Sequence, residues 1–135
     1  DKALENKSGL FLKRDISVTG VEFVPESIAI TEEGYKVLLD KEVSLQLVIA
    51  NEGNVEETEV LILILVTNEF GETVFEKRTK LNTIGPFESK SYYTEPLKIE
   101  KGILYEWFIL VEETENEEDF EDNIYSVKAF IPPED

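Results

Sequence analysis

The stretch that most constrains the fold is residues 43–66, VSLQLVIANEGNVEETEVLILILV, in which two strongly apolar runs flank an acidic loop. In the first run every second residue is aliphatic: Val43, Leu45, Leu47 and Ile49. This period of two is typical of a β-strand that covers a core with one face. The second run, residues 59–67, is apolar at both parities, which is typical of a central strand or of a strand whose outer face meets a partner.

Other segments combine strand-forming residues with flanking turn residues. They are residues 16–25, 73–80, 89–94, 104–111 and 124–131. No segment with a helical period separates them, so we predict an all-β chain: an immunoglobulin-like antiparallel β-sandwich of seven to eight strands. The 135 residues suffice for one domain, which we expect over residues 15–133. Residues 1–14 are expected to form a linker or stalk, or else a frayed terminus.

Three local features refine this prediction. Gly20 stands where the alternation within residues 16–25 changes parity, which predicts a β-bulge. Residues 26–41 favour a small hairpin that turns at Gly34, while a short helix over residues 32–39 stays open. Tyr105 is at the position of a tyrosine corner, whose hydroxyl group bonds the backbone upstream.

The composition excludes several classes of function. Cys and His are absent, which removes cysteine nucleophiles, Ser-His triads and zinc sites built on these ligands. Thirty acids against 13 bases give a net charge of −17, so we expect no nucleic-acid partner and no direct membrane contact by this domain. A filled sandwich also offers no deep pocket that could raise the pKa of one carboxyl group for general acid catalysis, so no enzymatic activity is expected.

The acidic residues predict the position of a possible cation site. Residues 112–123 contain eight acids and no base. In an immunoglobulin-like sandwich this segment and the loop after residues 43–50 emerge at the same end, which would give an acidic end without a base. Calcium prefers oxygen ligands, and the first candidates are Glu117, Asp119, Asp122 and Asn123, joined by Glu56 or Glu57. The alternative is a solvated acidic loop that keeps the protein soluble.

The aromatic residues allow two interpretations. Trp107 falls where it would fill the core, and we interpret both Trp107 and Tyr105 as structural. The alternative is that Trp107, Tyr92 or Tyr93 stacks on a carbohydrate.

The quoted stretch resembles the strand, N-x-G-N loop and next strand of the bacterial cell-adhesion-related (CARDB-type) immunoglobulin-like domains. The resemblance covers about residues 15–131 and includes a proline turn before residues 89–94 and Gly102 before residues 104–111. The chain departs from the family at Gly85-Pro86-Phe87-Glu88, where the family tends to have Pro-Gly-Glu, and at Asp122-Asn123, where a paired Asn is common. Residues 26–41 are also longer than usual. Such domains are extracellular adhesion or spacer modules, and the family has no common catalytic residues to carry over.

The resemblance implies a non-catalytic, extracytoplasmic adhesion, spacer or assembly module of a cell-envelope protein. We expect it to be tethered by a segment upstream of residue 1. Its partners would be other proteins or a second copy, bound through a sheet edge or through the outer face of residues 59–67. One alternative is a calcium-dependent protein- or carbohydrate-binding module, and another is an accessory domain of a larger enzyme or secretion machine.

Overall fold

In the computed structural model, which describes residues 15–111 and 124–133, two β-sheets pack face to face. The strands are, in chain order, β1 (Ile16–Val24), β2 (Ala29–Ile30), β3 (Lys36–Val37), β4 (Glu42–Asn51), β5 (Val60–Asn68), β6 (Thr73–Leu81), β7 (Ser89–Tyr93), β8 (Leu97–Lys98), β9 (Tyr105–Val111) and β10 (Ile124–Phe130). The predicted all-β sandwich is confirmed. Among the described residues its seven longer strands are accompanied by three of two residues each, and none of these residues belongs to a helix.

The two sheets differ in size. The small sheet has the order β1-β4-β7, with β8 beside β4, and the large sheet has the order β2-β3-β10-β9-β5-β6. Neighbouring strands are antiparallel except β3 and β10, which are parallel. None of the described residues lies in a helix with the length and hydrophobicity needed to span a membrane.

The core forms between the inner faces of the two sheets, and strands β4 and β5 supply much of it. The alternating residues of β4 and the even-numbered residues of β5 are almost fully buried: Val43, Leu45, Leu47, Ile49, Val60, Ile62, Ile64 and Val66. Burial of each such side chain contributes about 1.5–3 kcal/mol. Trp107 of β9 is 3% exposed, and its ring packs edge-on against Phe23 of β1 at a centroid distance of 4.9 Å. This contact joins the large sheet to the small one, so the structural interpretation of Trp107 is confirmed.

The bulge and the hairpin predicted within residues 16–41 are also confirmed, whereas the linker predicted for residues 1–14 lies outside the described residues. In the pairing of β1 with β4, Val18 is opposite Ile49 and Gly20 is opposite Val48, so Thr19 is the extra residue of a bulge. β2 and β3 form an antiparallel hairpin. Its turn places Gly34 at a φ of 90°, in the left-handed region that favours glycine. The helix left open for residues 32–39 is therefore wrong.

The tyrosine corner is present at the start of β9. The backbone N–H of Glu100 donates a hydrogen bond of 3.0 Å to the Tyr105 hydroxyl group. Tyr105 is buried, and its hydroxyl group thereby fixes the turn that leads into the strand.

Candidate binding surfaces

The four calcium ligands predicted from the sequence, Glu117, Asp119, Asp122 and Asn123, lie outside the described residues. The structure does describe the strand ends on either side of them. Val111, the last residue of β9, is opposite Ile62 of β5, and Ile124, the first residue of β10, is opposite Leu110. Residues 112–123 are therefore attached at the end of the large sheet where β5 begins. The β4–β5 loop, residues 52–59, leads to the same end, as the immunoglobulin-like topology predicts.

Asn51, the last residue of β4, holds the β4–β5 loop in place. Its side-chain oxygen accepts a hydrogen bond of 3.0 Å from the Gly53 N–H. Its side-chain nitrogen donates to the carbonyl oxygens of Val55 and Ile84 at 2.8 and 3.0 Å. The side chain is fully buried. Because these bonds also reach Ile84, they tie the loop to the segment between β6 and β7.

The structure corrects the prediction of an acidic end without a base. Glu57 is buried and not a surface acid, because its backbone pairs with Ile84 through hydrogen bonds of 2.8 and 3.0 Å. Glu59 lies 3.7 Å from the ammonium group of Lys80. β6 folds back along β5 and brings this base to the same end, which the local charge pattern could not reveal. Glu56 is exposed.

A second polar group lies where β1 begins. The Ser17 hydroxyl group donates to Glu52 at 2.9 Å, and the Glu52 N–H donates to the Asp15 carbonyl oxygen at 2.7 Å. Asp15 and Ser17 are buried. Within residues 15–111 and 124–133, no three acidic residues form a group suited to hold a metal ion. The hydrogen bonds from Ser17 and to Asp15 fasten the loop to the start of β1.

The outer face of the large sheet is a second candidate surface, and the strand register defines it in four rows. The rows contain Lys80 and Leu61; then Arg78, Leu63, Leu110 and Ile124; then Glu76, Leu65, Phe108 and Ser126; and then Thr67, Glu106 and Lys128. The central part is apolar. We refer to its six residues, Leu61, Leu63, Leu65, Phe108, Leu110 and Ile124, as the leucine face.

The leucine face is accessible to solvent. Leu61 is 41% exposed, Phe108 37% and Ile124 60%, and the other three residues are half-buried. A shallow groove of about 280 Å³ beside Leu61 is lined by Arg78 and Lys80. Sequence reasoning identified the three leucines of β5. It did not identify Phe108, Leu110 and Ile124, because only the pairing of β5, β9 and β10 places them beside those leucines.

The β6 edge of the large sheet is less suited to binding than the face of that sheet. β6 is the last strand, and it has three bases in a run of four residues, Lys77, Arg78 and Lys80. Lys77 also lies 3.5 Å from Glu95. Charged side chains on an edge strand, lysines above all, discourage the addition of another strand. The face is therefore a stronger candidate than the β6 edge.

The carbohydrate interpretation is wrong for Trp107, because its ring is buried between the sheets and cannot stack on a sugar. Tyr92 packs against the core as well. Tyr93 is 59% exposed, since it points to the other face of β7.

Comparison with known proteins identifies the fold. No protein-family model matches the chain, and no curated protein matches it significantly. Among solved structures, the chain is similar to a CARDB domain of a Pyrococcus furiosus protein in complex with di-metal ions, at 16% identity and a TM-score of 0.61, over 93% of this chain and 99% of that chain. The solution structure of that domain matches at 15% identity and a TM-score of 0.61, over 92% and 100% of the two chains.

A β-glucuronidase of glycoside hydrolase family 2 also matches, at 10% identity and a TM-score of 0.50. The match covers 88% of this chain and 11% of the enzyme, so it concerns one sandwich within a much larger protein. The two-sheet architecture, the strand order and the match over the whole length of a CARDB domain agree with one another. The chain has a CARDB-type immunoglobulin-like fold.

Proposed function

We propose that this chain is a non-catalytic module of a cell-envelope protein, and that it serves adhesion, spacing or assembly by binding another protein. The observation that carries the proposal is the leucine face. Its residues are contiguous on one side of a sheet and remain accessible to water. Contiguous apolar surface of this kind marks sites of protein interaction.

The interior of the sandwich supports a non-catalytic role. Both inner faces are filled with aliphatic and aromatic side chains. Catalysis by carboxyl groups needs one of them to be sheltered in a ligand-sized pocket. A module of this kind acts through its outer surfaces.

The placement in the cell envelope rests on the likeness to CARDB-type domains. Its test is the surface accessibility of the full-length gene product in intact cells. A membrane-impermeant amine reagent should label exposed lysines of this domain, such as Lys98 and Lys101, before lysis. Labelling that occurs only after lysis contradicts the placement.

The binding role is tested by a charge in the centre of the leucine face. We expect Leu63→Glu in the full-length protein to reduce cell attachment or the assembly of the complex. The matched control is Val48→Glu, because Val48 is a half-buried outward residue of the middle strand of the small sheet. Both variants should reach the cell surface in wild-type amounts. Equal attachment by the two variants contradicts the proposal.

A second candidate function is calcium-dependent binding of a protein or carbohydrate through Glu117, Asp119, Asp122 and Asn123. What favours it is the attachment of residues 112–123 at the end of the large sheet that also carries the β4–β5 loop. Calcium takes six to eight oxygen ligands, which two adjacent acidic loops can supply together. The di-metal complex of the Pyrococcus domain makes a metal the first ligand to test.

The test is a calorimetric titration with millimolar calcium, together with a melting curve. Binding to the folded state raises the melting temperature by mass action. We expect Asp119→Asn and Asp122→Asn to remove this response, while Glu72→Gln in the β5–β6 turn leaves it unchanged. A wild-type protein that shows neither heat nor a raised melting temperature excludes this candidate.

A further inference from the structure

The charges around the leucine face differ from those of the whole protein. The four rows of the outer face contain three bases, Arg78, Lys80 and Lys128, against two acids, Glu76 and Glu106. The whole chain has a net charge of −17. Two copies of such a chain repel each other over most orientations. Among the described residues of this face the bases outnumber the acids, so this part of the surface does not add to the repulsion between two copies.

The order of the charges on β6 suits a two-fold symmetric contact between two copies. Glu76 and Arg78 are outward neighbours on β6, beside Leu65 and Leu63 of β5. A dimer of identical chains contacts through the same patch on both copies, related by a two-fold axis. For two sheets packed face to face, an axis that crosses the strands between Leu63 and Leu65 exchanges these two rows. It places Arg78 of each copy opposite Glu76 of the other.

The same axis also brings apolar residues together at the centre of the face, while at its periphery Ile124 lies opposite Ser126 and Leu61 opposite Thr67. Leu63 meets Leu65 of the second copy, and Leu110 meets Phe108. The alternative axis, parallel to the strands between β5 and β9, places β6 over β10 and sets Arg78 against Ile124. In that arrangement Glu76 lies opposite Ser126, so neither Arg78 nor Glu76 lies opposite a group of the other sign. The register therefore favours the axis that crosses the strands.

We propose that a second copy of this chain covers the leucine face, in a two-fold symmetric, face-to-face dimer in which Arg78 of each copy pairs with Glu76 of the other. This inference rests on the proposed function, since it names the protein that the face binds. Sheets that pack in this way keep their strands within about 30° of each other and lie about 10 Å apart.

The size of the face determines the expected affinity. Four strands about 4.8 Å apart and four rows about 6.8 Å apart cover roughly 500 Å² per copy. Stable interfaces bury about 800 Å² per partner. We therefore expect a reversible dimer with a dissociation constant in the micromolar range or weaker.

The test is sedimentation velocity over a series of protein concentrations up to about 0.5 mM, which covers the dissociation constants expected for a weak interface. The salt concentration should be near physiological, where the Debye length is about 8 Å and long-range repulsion between acidic chains is screened. The wild-type protein should pass from monomer to dimer as its concentration rises. A protein that stays monomeric throughout overturns the inference.

Charge reversals test the arrangement itself. Arg78→Glu and Glu76→Arg should each weaken the dimer at least about tenfold, because each sets two like-charged pairs against each other. An equimolar mixture of the two variants should form a heterodimer of near wild-type affinity, since one copy then offers two carboxylates and the other two guanidinium groups. The doubly exchanged variant should also dimerise. A mixture that associates no better than its components overturns the pairing.

Matched controls separate this effect from a general change of charge. Glu22→Arg on β1 and Lys41→Glu before β4 make the same changes of charge at exposed positions outside the leucine face, and they should leave the dimer unchanged. Leu63→Glu should abolish it and Val48→Glu should not. If the wild-type protein is monomeric but Leu63→Glu still reduces cell attachment, the dimer is wrong and the proposed function stands. If the dimer forms as described and attachment does not depend on Leu63, the dimer stands and the adhesive role fails.

Discussion

The loops before and after strand β5 each begin at an asparagine, and the two asparagines form one equivalent hydrogen bond in different surroundings. Asn51 precedes the β4–β5 loop and Asn68 begins the β5–β6 turn. The side-chain oxygen of each accepts from the N–H two residues later, Gly53 at 3.0 Å and Phe70 at 2.9 Å. Each side chain makes three hydrogen bonds in all.

The difference lies in burial. Asn51 is fully buried, and two of its bonds satisfy backbone carbonyl oxygens inside the protein. Asn68 is half-buried, and its side-chain nitrogen donates to the exposed carboxylate of Glu72 at 2.8 Å. Water can replace the partners of Asn68 but not those of Asn51. An asparagine that holds a turn therefore contributes more to stability when it is buried, as Asn51 is, than when it is near the surface, as Asn68 is.

The largest effect is expected from truncation of the buried asparagine. Asn51→Ala leaves the Gly53 N–H and the Val55 carbonyl oxygen without this partner, while the Ile84 carbonyl oxygen keeps its bond from the Glu57 N–H. We expect it to lower the free energy of unfolding by about 2 kcal/mol. Asn68→Ala removes the same number of bonds at the surface and should lower it by about 1 kcal/mol or less. Urea denaturation of both variants measures the difference. Equal losses would show that burial does not distinguish the two loops.

Sequence reasoning reached these loops only in part. The alternation of β4 and the two apolar parities of β5 are local patterns, and they predicted both strands and the turns between them. The burial of Asn51 depends on Ile84, which belongs to a distant segment and accepts from its side chain. Ile84 also pairs with the backbone of Glu57, which is buried although it was predicted as a possible additional calcium ligand. Pairing between distant segments is not encoded in any local period, so these positions could not be predicted.

The leucine face could also be predicted only in part. The outward leucines of β5 follow from its composition, because a strand that is apolar at both parities needs a cover on both faces. β9 and β10 add Phe108, Leu110 and Ile124 to this face. They do so through the pairing of two strands separated by residues 112–123, and the sequence does not determine the register of that pairing. The calcium ligands predicted within that segment remain a prediction, because they lie outside the described residues.

An intermediate loss of stability is expected in the β5–β6 turn. This turn is exposed, but its backbone conformation is still restricted. Gly71 has a φ of 83°, a conformation that side chains with a Cβ atom rarely adopt. We expect Gly71→Ala to lower the free energy of unfolding by about 1 kcal/mol. The control is Gly20→Ala in β1, where an added Cβ atom would lie 3.5 Å from Val48, at ordinary contact distance. That variant should be neutral or slightly stabilising in the same denaturation measurement, and a larger loss there than at Gly71 would contradict the role of φ.

The smallest effect is expected where the β4–β5 loop itself reaches the surface. Glu59 and Lys80 lie 3.7 Å apart, and both side chains are more than half exposed. Exposed ion pairs contribute little, because water and salt screen the charges. Glu59→Gln should therefore change the free energy of unfolding by no more than about 0.5 kcal/mol. It also removes one acid from a chain of net charge −17, which relieves repulsion and offsets part of the lost attraction. A double-mutant cycle with Lys80→Gln measures the coupling free energy of this ion pair. A coupling free energy as large as the stability lost in Asn51→Ala would mean that surface charge, and not the buried asparagine, stabilises this end of β5.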